Sequence, residues 1–250
     1  AGVVYPRITG GFKALRQAAI NVIEQAASQP LLLLAGPTGS GKTRLLNQLQ
    51  AVDLEALANH RGSAFGRKLA AQPGQISFEN NLAARLLQLQ HTQPPFLLLE
   101  DESLLIGQRN IPHRLYQAMQ QSPLLLLEEP LSARIEVILQ DYIVDLYAEA
   151  VATVGGQGFE VFSDMLRQGM ARIAKRLGGA LYNELAAMLE QALSTQQQTG
   201  DISLHRLWIA RLLSDYYDPM YQYQLQKRGL PVLMRGNATV LKQWWQQQRG

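Results

Sequence analysis

The residues that decide the fold are LLLLAGPTGSGKT, which run from Leu31 to Thr43. Their first part is a short, wholly apolar run, typical of a parallel strand that is covered on both faces. The second part fits the pattern G-x-x-x-x-G-K-[ST], in which glycines let successive backbone N–H groups turn toward phosphate oxygens. We therefore predict a phosphate-binding loop made of eight consecutive residues: Gly36, Pro37, Thr38, Gly39, Ser40, Gly41, Lys42 and Thr43.

Two side chains of this loop have distinct expected roles. Lys42 would reach the terminal phosphate oxygens, and the Thr43 hydroxyl suits a Mg²⁺ ion. A helix that starts near Lys42 would add the positive end of its dipole. A glycine-rich turn that binds nothing is the competing interpretation. The apolar strand before the loop and the amphipathic helix after it favour phosphate binding.

Similar apolar runs recur along the chain and predict the other strands of a sheet. They lie at 96–100, 124–128 and 230–234, with a weaker one at 49–54. Apolar residues at helical spacing lie between them, at 12–28, 42–49, 78–90, 111–121 and 131–149. Strand–helix alternation of this kind predicts an α/β fold, a doubly wound parallel sheet like that of P-loop NTPases.

The region 155–228 lacks any strand pattern and shows apolar residues at helical spacing. We predict a helical insertion there, with a loop over the polar run 194–200. The P-loop α/β core would then comprise residues 1–154 and 229–250. A last helix, capped by Asn237, would pack back on the sheet.

Composition excludes several classes of site. The chain has 250 residues, of which 47% are hydrophobic, and no cysteine. Disulfides, thiolate metal sites and a cysteine nucleophile are therefore excluded for this chain. No apolar run approaches the roughly 20 residues of a membrane-spanning helix. The chain starts at Ala1 rather than at a methionine, which is compatible with a piece of a longer protein.

The net charge of +3 is unevenly distributed. Residues 1–150 hold 12 Lys and Arg against 13 Asp and Glu, a net charge of −1. Residues 151–250 hold 11 against 7, a net charge of +4. A basic C-terminal part suits a polyanionic partner. Chance asymmetry of a solvated surface explains the difference equally well.

Carboxylates follow the apolar run at 96–100. Glu100, Asp101 and Glu102 stand where a neighbouring parallel strand would end beside the phosphate loop. We expect at least one of them to hold Mg²⁺ directly or through water, with Glu100 and Asp101 joining Thr43 as candidate metal-site residues. Capping of the next segment, with the other carboxylates in solvent, is the alternative.

A second group of reactive side chains follows the weak strand at 49–54. Asp53, Glu55, His60 and Arg61 lie there among glycines, and the ends of parallel strands converge on one crevice. Together with Lys42 they are the candidate catalytic residues. Arg61 suits bidentate phosphate contact, His60 could donate a proton or a hydrogen bond, and the two acids could bind metal or act as a base. The residues alone leave these roles open.

Several linked motifs, in order, resemble the tRNA 2-selenouridine synthase family. They are the phosphate loop, DLEALANHRGSAFG at 53–66, QISFEN at 75–80, EDES at 100–103, IG at 106–107, IP at 111–112 and DY at 141–142. The opening stretch GGFKALR at 10–16 is similar to the junction at which that family's second domain begins. The resemblance covers essentially the whole chain and is more specific than the phosphate loop alone.

The resemblance implies a cytoplasmic enzyme that acts on the wobble uridine in the anticodon region of certain tRNAs. In that family 2-thiouridine is S-geranylated from geranyl diphosphate, and selenium from selenophosphate then replaces the geranylthio group. The family also has an N-terminal rhodanese-like domain whose cysteine serves the selenium step. This chain lacks both, so we interpret it as the P-loop half, for which the rhodanese-like domain is a missing partner.

The helical insertion is the expected tRNA- and lipid-binding part. The aromatic run from Tyr216 to Tyr223 could line a groove for a geranyl chain, stack an anticodon base, or simply pack between helices. The expected contacts to the tRNA backbone are Arg167, Arg172, Lys175 and Arg176, unless these form only a solvated face. Two further hypotheses remain: an ATP- or GTP-hydrolysing enzyme or small-molecule kinase, and a noncatalytic tRNA-binding domain.

Overall fold

The computed structural model describes residues 8–90 and 95–249, and its centre is a four-stranded parallel sheet in the order β2-β1-β5-β6. A separate antiparallel pair, β3 and β4, forms a small hairpin after β2. The strands are β1 (Leu31–Ala35), β2 (Leu97–Glu100), β3 (Leu105–Ile106), β4 (Arg109–Asn110), β5 (Leu124–Leu127) and β6 (Val232–Gly236).

Twelve α-helices lie in the described part of the chain. The first five and the last belong to the sheet layers, and the others form a helical layer. They are α1 (Gly11–Ala26), α2 (Lys42–Gln48), α3 (Leu54–Leu57), α4 (Gln75–Gln90), α5 (His113–Met119), α6 (Leu131–Leu139), α7 (Asp145–Val154), α8 (Gly158–Leu177), α9 (Gly179–Thr199), α10 (His205–Leu212), α11 (Asp218–Arg228) and α12 (Ala238–Arg249).

The sheet is covered on both faces, as the unbroken leucine runs predict. Every residue of β1 is buried, and successive residues of the strand belong alternately to two apolar clusters on opposite faces of the sheet. One face packs on α1, α4 and α5 through residues such as Phe78 and Leu115. The other packs on α2 and α12 through Leu45 and Trp245. This arrangement confirms the predicted doubly wound parallel sheet.

The helical layer has an apolar cluster of its own. Phe162, Leu166 and Trp208 are buried at its centre, among the helices from α6 to α11. Ile143 and Leu146 also belong to this cluster, so its packing begins before residue 155. The division of the chain into a core and an insertion at 154/155 stays a prediction.

Two sequence-based expectations about local structure were wrong. The weak strand at 49–54 is a single parallel bridge between Val52 and Leu99, after which Asp53 caps α3. The polar run at 194–200 continues α9 to Thr199 and ends at Gly200 in a left-handed conformation, with φ of 78°. The helix persists there because Gln196 is buried and bonds His205 Nε2 at 2.9 Å, a tertiary contact that local polarity does not reveal.

Two π-helical turns interrupt the helical layer, at Gln140–Val144 and Leu213–Tyr217. A π-helical turn points its side chains in directions that differ from those of a regular α-helix. Such turns are frequent at functional sites. Here they carry Asp141, Tyr142 and Tyr217 to the wall of a cavity beside the phosphate loop.

Asn237 forms the predicted cap of the last helix, because its Oδ1 accepts a hydrogen bond from the Val240 N–H at 3.1 Å. No helix in the described ranges is long and apolar enough to cross a bilayer.

Candidate functional site

The phosphate loop leaves β1 and turns directly into α2. Gly39 and Gly41 have φ near 80°, which favours glycine over residues with a side chain. Gly36 lies so close to β5 that an added Cβ would stand 2.8 Å from the Leu127 carbonyl oxygen. Lys42 Nζ donates to the Gly36 carbonyl oxygen at 2.9 Å, which places the ammonium group inside the loop.

A buried arginine ties the loop to the helical layer. Arg134, on α6, donates from Nε to the Thr38 carbonyl oxygen at 2.9 Å. Its other two nitrogens bond the Asp218 carboxylate, on α11, at 2.9 and 2.5 Å. Sequence reasoning missed Arg134, because one arginine within an amphipathic helix gives no local signal.

Three glutamates meet next to Lys42. The carboxylates of Glu55, Glu100 and Glu102 offer oxygens that all lie within 4.8 Å of one another. Glu100 Oε2 accepts the Glu55 N–H at 3.1 Å, and Asp53 caps α3 by accepting the Ala56 N–H at 2.7 Å. The Val52–Leu99 bridge brings the two segments together, so a short contact in the sheet assembles this carboxylate cluster.

Burial raises the pKa of all three glutamates. The effect is largest for Glu100 and Glu102, where the neighbouring Glu55 raises the pKa further, and Lys42 opposes it. Burial also raises the pKa of Glu55, against the attraction of Lys42. Glu100 is fully buried, and its Oε1 has no hydrogen-bond partner among the described residues. Close carboxylates with an unpartnered oxygen are the hard oxygen donors that Mg²⁺ prefers, so these residues fit the ion.

Asp101, the other predicted metal ligand, faces a different partner. Both of its oxygens accept hydrogen bonds from Arg228 Nη1, at 2.7 and 2.8 Å. Asp101 and Thr43 still line the same cavity as the carboxylate cluster, but Asp101 is not one of the three residues that meet there.

A cavity of about 880 Å³ joins these parts. It brings together the phosphate loop and the predicted residues Asp53, Glu55, His60 and Arg61. Gly62 is essential to its shape, because an added Cβ would stand 2.1 Å from Glu55 Oε1. The motif of residues 53–66 therefore wraps around the carboxylate cluster, as expected from the convergence of strand ends.

His60 and Arg61 lie on the cavity wall in different environments. Burial lowers the pKa of His60, and the nearby cations Arg172 and Lys68 lower it further, so the imidazole is neutral at pH 7. Arg61 stands over the ring of Tyr142, with its guanidinium carbon 5.2 Å from the ring centroid. Tyr142 also forms a 3.0 Å hydrogen bond with the Ser63 hydroxyl.

A narrow apolar slot adjoins the cavity and shares part of its wall. Phe65 and Trp208 face each other in it, with ring centroids 5.7 Å apart. Residues of α6, α10 and the two π-helical turns complete it: Ile138, Tyr142, Ile209, Leu212, Leu213 and Tyr217, with Thr38 and Ser63 at the cavity side.

The four cations predicted to contact tRNA do not share one environment. Arg167 is held by Glu190 at 2.7 Å and by Asp164 at 3.2 Å. Arg172 donates to the Ala64 carbonyl oxygen at 2.8 Å, next to the 53–66 motif. Arg176 bonds the Tyr216 hydroxyl at 3.5 Å and lines the cavity. Lys175 is exposed on the same helix.

Fold and site together define an α/β protein of the P-loop-like AAA class, with a carboxylate cluster facing its glycine-rich loop. The profile of the tRNA 2-selenouridine synthase AAA domain matches residues 29–250. The chain therefore belongs to the tRNA 2-selenouridine synthase family.

Relatives agree with this assignment. The chain is 49% identical to the tRNA 2-selenouridine synthase of Cupriavidus pinatubonensis and 48% identical to that of Shewanella frigidimarina, over 247 residues in each case. Each match covers 98% of this chain and 68% of the relative. The enzyme of the same name from Ectopseudomonas mendocina is 46% identical over the full chain. No solved structure matches.

Proposed function

We propose that this chain is the P-loop part of a tRNA-modifying transferase that acts on wobble 2-thiouridine in the cytoplasm. Its step would be S-geranylation from geranyl diphosphate. Replacement of the geranylthio group by selenium from selenophosphate, giving 2-selenouridine, would follow. The names of its relatives support a role in tRNA modification.

The observation that carries this proposal is the junction of three compartments. A phosphate loop with an inward lysine, a carboxylate cluster and an apolar slot all open on one cavity. A diphosphate with an apolar tail needs an anion site and an apolar site side by side, and this arrangement places the loop next to the apolar walls of the slot.

In the proposed transfer, the sulfur of 2-thiouridine attacks C1 of the geranyl group. The S–C1 bond forms as the C1–O bond breaks, and diphosphate leaves. The N–H groups of the loop and Lys42 would hold the diphosphate and stabilise the charge that develops on it. Mg²⁺ held by the carboxylate cluster, with Thr43 nearby, would supply further neutralisation of that charge.

The other candidate catalytic residues would position groups or move a proton. The reacting base loses the proton of N3, and neutral His60 is suited to accept it. Arg61 would bind phosphate oxygens at the cavity wall. Asp53 would act through α3, whose first turn it caps and which carries Glu55 into the cluster.

The apolar slot would receive the geranyl chain once its side chains move apart, because its volume in this structure is only about 20 Å³. Its walls come from the helical layer, while its mouth at Thr38 and Ser63 meets the phosphate cavity. Tyr142 and Tyr217 belong to both compartments, so they would stand at the bend between the diphosphate and its tail.

Selenium replacement would require more than this chain. The chain spans about two thirds of the relatives it matches and has no cysteine. We propose that a rhodanese-like domain supplies the selenium-handling thiol and works with the P-loop part.

The test is to incubate the protein with 2-thiouridine-containing tRNA, Mg²⁺ and geranyl diphosphate, then to analyse the nucleosides by mass spectrometry. Wild type should give geranylated 2-thiouridine and Lys42→Ala should not. Lys242→Ala, an exposed lysine of α12 outside the cavity, is the matched control and should retain the activity.

The other outcomes identify the alternatives. Phosphate release from ATP or GTP, or phosphate transfer to a small molecule, without geranylated product would indicate a nucleotide-hydrolysing enzyme or a kinase. Binding of tRNA without any turnover, and unaffected by Lys42→Ala, would indicate a noncatalytic tRNA-binding domain. Either result would contradict the proposal.

A further inference from the structure

The ion pairs of the helical layer separate its cations into two groups. Several exposed arginines are neutralised by carboxylates, as in Arg206 with Glu136 at 2.7 Å and Arg211 with Glu184 at 2.7 Å. Other cations, within the described ranges, have no carboxylate within 4.0 Å. Six of these belong to the segment 60–68 and to α8, namely the exposed Lys175 and the five considered next: Arg61, Arg67, Lys68, Arg172 and Arg176.

These five residues, here called the cationic face, lie on two elements that pack closely. Arg172 of α8 donates to the Ala64 carbonyl oxygen at 2.8 Å. Gly169 permits this approach, because an added Cβ would stand 2.4 Å from Phe65 Cδ1. Arg67 pairs with His60 in a short antiparallel bridge. The packing therefore holds cations from distant parts of the sequence on one side of the cavity.

Part of the cationic face belongs to the wall of the cavity. Arg61, Lys68 and Arg176 are among the residues that line the cavity. Lys68 and Arg172 also lie close enough to His60 to help lower its pKa, after the larger effect of burial. Three cations that have no carboxylate within 4.0 Å thus line the candidate active site, and of these Arg61 also attracts Asp141 over a longer distance.

Aromatic rings accompany these cations. Arg61 lies over Tyr142, and Arg176 bonds the hydroxyl of Tyr216 at 3.5 Å. Tyr216 and Tyr217 pack edge to face, with centroids 4.9 Å apart. Guanidinium and aromatic groups beside a cavity suit an unpaired base, which stacks on such surfaces.

We infer that the cationic face binds the phosphates of a single-stranded RNA segment, which crosses the mouth of the cavity so that one unpaired base enters it. The inference rests on the proposed function, in which that segment is an anticodon loop. A flat anionic membrane would not engage cations that line a concave opening. The RNA contact then involves two elements rather than α8 alone, and it includes neither Arg167, which Glu190 neutralises, nor Lys175.

The test measures binding of a fluorescein-labelled, unmodified anticodon stem-loop RNA by anisotropy, between 50 and 300 mM KCl. The variant is the double substitution Lys68→Ala and Arg172→Ala. The matched control is Arg206→Ala and Arg211→Ala, which removes the same charge from neutralised positions. Circular dichroism of each variant checks that the fold is retained.

We expect the Lys68/Arg172 variant to bind the RNA about tenfold more weakly, because two phosphate contacts are lost. The slope of log K against log salt should fall by about 1.4, which is 0.7 for each contact to a single strand. The control should bind within about twofold of wild type. Arg172→Ala alone should weaken binding more than Arg167→Ala on the same helix.

Equal weakening by both double variants, or no weakening by either, would overturn the inference. Tighter binding to phosphatidylserine vesicles than to RNA would also overturn it. The assay contains no prenyl donor, so its result is independent of geranyl transfer. If geranyl transfer is observed but the Lys68/Arg172 variant keeps the wild-type salt slope of RNA binding, only this inference is wrong. If that variant has the reduced salt slope but no geranyl transfer is observed with wild type, only the proposed function is wrong.

Discussion

The charge state of Glu100 depends on the side chains that surround it. It ends β2 after three leucines, where it is fully buried, and it meets Glu55 from another segment and Glu102 from two residues further along the chain. In isolation a carboxylate would not stay charged in such a place. The arrangement is favourable only with Lys42 nearby and with a cation or proton shared among the three groups.

We predict that Glu100→Gln makes the protein more stable at neutral pH. Its folded pKa is raised, so the folded state binds more protons than the unfolded state above pH 4.5, and the free energy of unfolding falls as pH rises through this window. The glutamine can still accept the Glu55 N–H but carries no charge. Each 1 kcal/mol gained should raise Tm by about 2–4 °C.

Thermal unfolding of wild type and Glu100→Gln from pH 4.5 to 8 measures this effect. The two Tm values should converge at the acidic end. Added Mg²⁺ should raise the Tm of wild type more than that of the variant. A Tm difference that does not change with pH would contradict the assigned effect of burial and of Glu55.

For Lys42, we predict that replacement by alanine abolishes diphosphate binding while the fold is retained. Within the described residues its side chain makes one hydrogen bond, to the loop carbonyl of Gly36, so little packing is lost, and the neighbouring glutamates can take up protons when the ammonium group is removed. A charge-assisted bond to phosphate is worth about 1.5–3 kcal/mol, which corresponds to at least tenfold in affinity. Calorimetry with magnesium diphosphate measures it, and an unchanged affinity would show that the loop is not the anion site.

At the scale of elements, α11 connects the helical layer to both sides of the cavity. Asp218 at its start reaches the phosphate loop through Arg134, and Arg228 at its end bonds Asp101 after β2. One helix therefore sets the distance between the loop and the end of the strand that carries the carboxylates. Its position is a condition for the site, although it carries none of the predicted catalytic residues.

We predict that Asp218→Asn destabilises the protein and weakens diphosphate binding. Loss of one partner of a buried ion pair costs about 3–5 kcal/mol, and less here because the Asp218 side chain is 24% exposed. Arg134 would also hold the Thr38 carbonyl less firmly. Asp215→Asn, which breaks the exposed pair with Arg211, is the control and should change stability by less than about 1 kcal/mol. If urea unfolding shows that Asp218→Asn and Asp215→Asn lower the free energy of unfolding equally, Asp218 does not anchor Arg134 as proposed.

The contact between α8 and Phe65 leads to a prediction about two glycines. Gly169→Ala should cost about 1–3 kcal/mol, because the new Cβ would stand 2.4 Å from the Phe65 ring. Gly179→Ala, in the first turn of α9, should be neutral or stabilising, because a Cβ there meets nothing within 4 Å. Chemical denaturation distinguishes them, and a neutral Gly169→Ala would show that the two elements separate easily.

For the molecule as a whole, the cavity lies between the sheet layers and the helical layer. Its wall takes residues from both, so a ligand that fills it contacts two apolar clusters at once. Ligand binding should therefore stabilise the sheet and the helical layer together.

We predict that magnesium diphosphate at about 100 times its Kd raises Tm by about 5–10 °C, in a single transition. The expected gain is about 2.7 kcal/mol from binding to the folded state alone. Scanning calorimetry measures it, and Lys42→Ala should abolish the shift. Two separate unfolding transitions, of which the ligand shifts only one to higher temperature, would show that the ligand stabilises only one of the two layers.

The sequence predicted the sheet well because its signals are local. A wholly apolar run leading into a glycine-rich loop has few structural solutions, and the resemblance of residues 53–66 and 100–103 to one family extends over the chain. The two errors had different origins. The segment at 49–54 contributes one bridge because α3 begins at once, and the polar end of α9 is helical because of a contact with His205.

The sequence by itself therefore determined the class of fold, the glycine-rich loop that follows β1 and many of the residues that line the cavity. Only the tertiary structure decided which carboxylates meet, since Glu102 joins Glu55 and Glu100 while Asp101 turns to Arg228. It alone revealed Arg134 and the different environments of Arg167 and Arg172. The physical reason is that apolar periodicity and glycine conformation act between near neighbours, whereas the partner of a charged side chain is fixed by packing between distant segments.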